Sequence, residues 1–176
     1  MYEVKKLDFG FVILCPERNI HGLRSTARSI SQYYDVPRLC VAPKDTKKAE
    51  LDEMKGICET IKGGITYTSL INKGLAKAPA NWNFFVFAAS IIRPYFYRKF
   101  AVFQENDKDI MFPIVDRKTN FVDGSMNGIF MHKRVLKDVG KIDEDMDDLV
   151  KAKLVWAHRA MKCGYKFKAI LGAQAV

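Results

Sequence analysis

Phe9-Gly-Phe-Val-Ile-Leu-Cys15, followed at once by Pro16-Glu-Arg18, is the stretch that decides the fold. A run with no polar side chain, rich in aromatic and β-branched residues, describes a strand buried on both faces, as in parallel sheets. It is too short for a secretory leader or a membrane span. Pro16 ends it.

Reading outward, His21 to Asp35 carries Leu23, Ala27, Ile30 and Tyr34 at helical spacing, and Pro37 stops that helix. Arg38–Ala42 is a second strand closed by Pro43. A helix is expected over Lys47–Lys62, with Leu51, Met54, Cys58 and Ile61 on one stripe and Gly63-Gly64 as its stop. Ile65–Tyr67 reads as a short strand. Ser69 reads as the N-cap of a helix carrying Ile71, Leu75 and Ala76. Trp82-Asn-Phe-Phe-Val-Phe-Ala88 is the strongest strand signal in the chain.

Beyond it the sequence predicts a helix around Arg93–Gln104, a turn at Glu105–Asp109, a strand over Ile110–Val115 and mixed loop and strand over Gly124–His132. Val150, Leu154, Ala157 and Met161 mark a late helix that Gly164 ends, and Tyr165–Leu171 is a last strand. This alternation predicts an α/β fold, with a mostly parallel central sheet flanked by helices, in a single domain over residues 1–176.

Ligands of such sheets sit beyond the carboxyl ends of the strands. That singles out Pro16–Asn19, Pro43–Asp45 and Ala88–Arg93. No Gly-x-Gly-x-x-Gly and no phosphate loop ending in Gly-Lys-Ser/Thr occurs, which disfavours dinucleotide oxidoreductases and loop-type nucleotide hydrolases.

Lys plus Arg number 29 against 20 Asp plus Glu, a formal charge of +9. An excess of that sign suits an anionic partner: a nucleotide diphosphate, a nucleic acid or a membrane surface. The cations are scattered, so no polybasic tail is indicated. Cys15, Cys40, Cys58 and Cys163 have no metal-ligand spacing and read as reduced, buried thiols of a reducing compartment. With no leader and no long apolar stretch, the expectation is a cytoplasmic protein without a membrane span. His132 and His158 read as surface or helix residues.

The order of features resembles that of family-2 glycosyltransferases of the GT-A fold. Pro16 followed by Asn19 is similar to the family's opening Pro-x-x-Asn, and Leu23 with Ser29-Ile30 to the helix after it. Asn72-Lys-Gly74 resembles the Asn-x-Gly segment beside the nucleotide. Trp82–Ala88 resembles the strand that leads to the Asp-x-Asp metal motif. Gly124–Arg134 through Gly140-Lys-Ile-Asp143-Glu144 resembles the acceptor-side segment, and Arg159 with Gly164-Tyr165 the late helix end.

The resemblance implies a Rossmann-like domain that binds a nucleotide-diphosphate sugar, UDP-glucose or UDP-galactose above all, with a glycan or protein as acceptor. It puts the nucleotide near Pro16, Arg18, Asn19, Lys44, Asp45, Asn72 and Lys73. It puts the sugar and diphosphate near Ala88, Ser90, Arg93, Asp123, Asn127 and Lys153.

The departures are in the acids. Where the family holds Mn²⁺ or Mg²⁺ with two carboxylates, this chain has Ala88-Ala89-Ser90, so no metal site is expected. Where the family has its base pair, Ala152-Lys153 stands. Two readings follow. In one, cations such as Arg93, Lys44, Lys73 and Lys153 replace the metal, and Asp143, Glu144, Asp147 or Asp148 supplies the base. In the other, the fold persists as a binding or assembly protein without catalysis, with a homodimer as one form. A basic nucleic-acid-binding domain is the alternative from another class. The short length against the resembled family implies a trimmed acceptor side, as in phage-encoded versions of such folds.

Overall fold

A computed structural model describes residues 8–114, 128–146 and 148–171. In chain order the elements are β1 (Phe9–Leu14), α1 (Ile20–Tyr33), β2 (Arg38–Ala42), α2 (Lys48–Lys55), β3 (Glu59–Lys62), α3 (Tyr67–Ala76) and β4 (Trp82–Phe87). Then follow α4 (Phe96–Ala101), β5 (Asp109–Ile114), β6 (Ile129–His132), α5 (Val135–Val139), α6 (Leu149–Lys162) and β7 (Lys166–Leu171). The strands form one seven-stranded sheet in the order β3-β2-β1-β4-β6-β5-β7. Every pairing is parallel except those of β6, which runs against both β4 and β5.

The central strands read as unbroken apolar runs because both faces are covered. Phe11, Ile13, Trp82, Phe84 and Val86 point to the face that α1, α2 and α4 cover. Val12, Leu14 and Phe85 point to the opposite face, under α3, α5 and α6. Phe84 is the aromatic hub of the first face, with ring centroids 4.1 Å from Phe130, 4.8 Å from Phe96 and 5.2 Å from Phe11. The four cysteines are free thiols, and Cys15 and Cys40 are buried. Among the described residues no helix is long and apolar enough to cross a membrane.

Five elements differ from the sequence reading. The expected helix over Lys47–Lys62 ends at Lys55, and its last four residues are strand β3. A helical stripe and a strand paired beside β2 both turn Ile61 toward the core, and the open edge of β2 decides for the strand, with Leu39 opposite Glu59 and Val41 opposite Ile61. The segment read as a strand at Ile65–Tyr67 is instead the start of α3. Thr66, not Ser69, is the N-cap, its hydroxyl accepting from Ser69 N–H at 3.2 Å. Helix α4 is shorter than read, because Pro94 and a left-handed Tyr95 precede it. Helix α5 had no signal of its own.

Candidate functional site

Strand order reverses between β1, whose chain continues to β2 on one side, and β4 on the other. A cleft of about 390 Å³ opens there, beyond the carboxyl ends of the two strands. Cys15, Pro16, Glu17 and Asn19 line it from the end of β1, and Phe87 and Ala88 from the end of β4. Tyr67 and Ile71 on α3 and Leu149, the first residue of α6, complete the wall.

Three helices therefore begin at this cleft. Asn19 caps α1, its Oδ1 accepting from Gly22 N–H at 2.8 Å, and Thr66 caps α3. Both caps are neutral, so the positive ends of these two helix dipoles stay uncompensated and favour an anion. Helix α6 contributes less. Asp148 caps it with a carboxylate, its Oδ1 accepting from Val150 N–H at 2.8 Å and Lys151 N–H at 3.2 Å. Tyr67 packs edge-on to Phe87, ring centroids 5.7 Å apart, and presents an aromatic surface at the mouth. An apolar wall and two neutral-capped helix starts suit a flat apolar group joined to an anion, and Glu17 in the lining works against the anion.

The backbone at the rim is special on both sides. Arg18 (φ 54°) and Ala89 (φ 77°) adopt the left-handed region that side chains rarely occupy. Gly22 lets α1 approach the second of these closely, since a Cβ there would lie 2.8 Å from the Ala89 backbone nitrogen and 2.6 Å from Asn19 Nδ2. Ala88 N–H is held by Leu14 O and Ile92 N–H by Ser29 Oγ, so the loop has no room to retreat. Gly22→Ala is expected to destabilise the fold by up to about 2 kcal/mol in chemical denaturation. The overpacking cost of about 1–3 kcal/mol outweighs the gain of about 1 kcal/mol in helix propensity.

Of the residues singled out from sequence, Pro16, Asn19 and Ala88 line this cleft. Arg18 pairs with Asp45 at the surface, and its guanidinium holds that carboxyl below its ordinary value. Lys44, Lys73 and Arg93 are exposed, whereas Ser90 is buried. Asn72 is buried and already committed: its Nδ2 donates to Ile142 O at 2.7 Å and Glu144 Oε1 at 2.8 Å, and its Oδ1 accepts from Ile142 N–H at 2.9 Å. It clasps α3 to the segment before α6. Asp143 accepts from Asp145 N–H within its own turn. Lys153 is buried on α6, one turn after Leu149 and so on the same helical face. Asp123, Asn127 and Asp147 lie outside the described residues. His132 accepts from Arg134 N–H, with burial chiefly pushing its pKa down, and His158 is exposed on α6.

Glu17 falls within the stretch Pro16–Asn19 singled out from sequence, whereas Cys15, Tyr67, Ile71, Phe87 and Leu149 were missed as cleft residues. Tyr67 and Leu149 carry a readable signal, since each follows an N-cap type, Thr66 and Asp148. The set does not fit a divalent metal. Such an ion wants six or more oxygen ligands, usually with carboxylates among them. Ala88-Ala89-Ser90 offers none, and among the described residues no three His, Cys, Asp or Glu side chains come together as ligands.

No protein-family model matches the chain, and no curated protein matches it in sequence. Among solved structures it is similar to the mannosyltransferase PcManGT from Pyrobaculum calidifontis, in complex with GDP-Man and Mn²⁺, with a TM-score of 0.69 at 9% identity. The match covers 98% of this chain and 59% of that one. The chain thus spans less than two thirds of its structural neighbour. At that identity the likeness establishes the architecture: the chain has a GT-A-like fold.

Proposed function

We propose that the cleft between β1 and β4 binds a nucleotide-diphosphate sugar, a UDP-hexose foremost. The base packs against Tyr67, and the diphosphate lies over the starts of α1 and α3. The observation that carries this is the meeting of two neutral-capped helix starts with an aromatic-walled cleft at the strand-order reversal. The GT-A-like architecture supports it, as does a structural neighbour solved with GDP-Man.

In this reading the negative charge that grows on a leaving diphosphate is met by helix dipoles and by cations, Arg93 and Lys153 first, in place of a metal. Glu144 or Asp148 would take the acceptor proton if transfer or hydrolysis occurs. A second reading, a binding protein without catalysis, is favoured by one specific observation. Glu144 is hydrogen-bonded to Asn72 and Asp148 caps α6, so both carboxylates already have structural work. Four free thiols favour action in the cytoplasm.

Calorimetric titration with UDP, UDP-glucose, UDP-galactose and GDP-mannose, in Mn²⁺ and in chelator, tests the proposal. The expected result is binding of one of them that is equal in both buffers and weakens about tenfold in Arg93→Ala. Binding that strictly requires Mn²⁺ would overturn the cationic site, and no binding in either buffer would overturn the nucleotide-sugar reading. Hydrolysis and transfer assays on the bound donor then separate enzyme from binder.

A further inference from the structure

The connection between β4 and β5 carries a surface that the cleft does not use. Residues 91–103, Ile-Ile-Arg-Pro-Tyr-Phe-Tyr-Arg-Lys-Phe-Ala-Val-Phe, hold three cations and no acid. Phe96, Phe100 and Ala101 turn inward onto the core. On the outside, Tyr95 is 68% exposed, Val102 61% and Phe103 54%. Together with Arg98 and Lys99 these three line a shallow groove.

Tyr95 is held at φ 65°, a conformation that a bulky side chain adopts only at an energetic cost. Packing repays little of that cost, since most of Tyr95 is exposed. The backbone is bent so as to present an aromatic ring beside two cations.

We propose that this surface docks on an anionic lipid bilayer. Tyr95, Val102 and Phe103 enter the boundary between headgroups and acyl chains, and Arg98 meets the lipid phosphates. Aromatic and aliphatic side chains interleaved with cations and free of acids form the composition that an interfacial surface requires. A second copy of this chain fits worse, because a two-fold contact would set cation against cation. A nucleic acid would use the rings for base stacking but gain little from Val102 or from the exposed Ile91. In the chain this stretch begins three residues after Ala88, but its groove shares no lining residue with the cleft. The inference stands apart from the nucleotide reading.

The test is co-sedimentation of the full chain with phosphatidylcholine vesicles that contain or lack phosphatidylglycerol. Binding is expected to the anionic vesicles alone and to weaken as salt is raised. It should fall about tenfold in Arg98→Glu, and also fall in the charge-preserving double variant Val102→Ser with Phe103→Ser. All three positions are exposed, so the variants should keep the parent melting temperature. Unchanged nucleotide binding in calorimetry would separate this surface from the cleft. Failure to bind anionic vesicles at low salt would overturn the proposal, as would binding that survives both variants. Tighter binding to a single-stranded oligonucleotide, lost in the same variants, would overturn it in favour of nucleic acid.

Discussion

Trp156→Ala is expected to cost about 3–5 kcal/mol of folding stability in chemical denaturation. Helix α6 packs against the sheet through Ala152, Lys153, Trp156, Ala157 and Ala160, and Trp156 is the one large apolar side chain among them. It is fully buried in the cluster that includes Val135, Val139 and Ile142. Its Nε1–H donates to Gly140 O at 2.9 Å. The alanine variant therefore loses most of the apolar area that anchors the helix and leaves that carbonyl without its donor. Domains of this size have about 5–15 kcal/mol in total, so the variant approaches the limit of folding. Trp156→Phe keeps much of the volume and should cost far less, with the lost hydrogen bond accounting for about 1 kcal/mol. A small loss in the alanine variant would show that α6 is held mainly by its termini.

Ala88→Trp carries the largest expected effect on binding: at least about a hundredfold weaker affinity for the nucleotide ligand, with little change in melting temperature. Ala88 lines the cleft at the end of β4 and is partly exposed, so an indole there enters the cleft and not the core. A ring of that size takes a large share of a 390 Å³ cleft and displaces whatever stacks on Tyr67. A hundredfold loss is about 2.7 kcal/mol, well within what removing the aromatic contact of a stacked base produces together with a steric clash. Calorimetry on the purified variant measures it directly. Retained affinity would place the ligand somewhere other than between β1 and β4.

The parts of the fold legible in sequence are those where one physical demand acts alone. Strands β1, β2 and β4 are buried on both faces, and their runs leave no second interpretation. Ambiguity enters at Cys58–Ile61, where a helical stripe and a short edge strand call for the same side chains and only pairing with β2 decides. It enters again at α3, where Thr66 and Ser69 are both capping residues three positions apart. The reversed direction of β6 has no local signature, because it depends on which edge of β4 lies open once β1 has taken the other.

The site follows the same division. Pro16, Asn19 and Ala88 follow strands directly, so the topology alone points at them. Tyr67, Ile71 and Leu149 reach the cleft from helices whose placement is set by tertiary packing. Asn72 illustrates the opposite case. The family resemblance puts it beside the nucleotide, yet its amide is spent holding Ile142 and Glu144.

The neutral caps of α1 and α3 have a consequence for how durable the cleft's attraction is. A peptide dipole has no proton to lose and no side chain to substitute. Whatever pull Asn19 and Thr66 leave uncancelled stays constant across the pH range in which carboxylates, imidazoles and phosphates titrate. Substitution cancels it only where it puts a carboxylate at the cap or in the first turn, as Asp148 does at α6. In a chain that carries alanines where acidic residues would coordinate an ion, that part of the affinity is written into the course of the main chain.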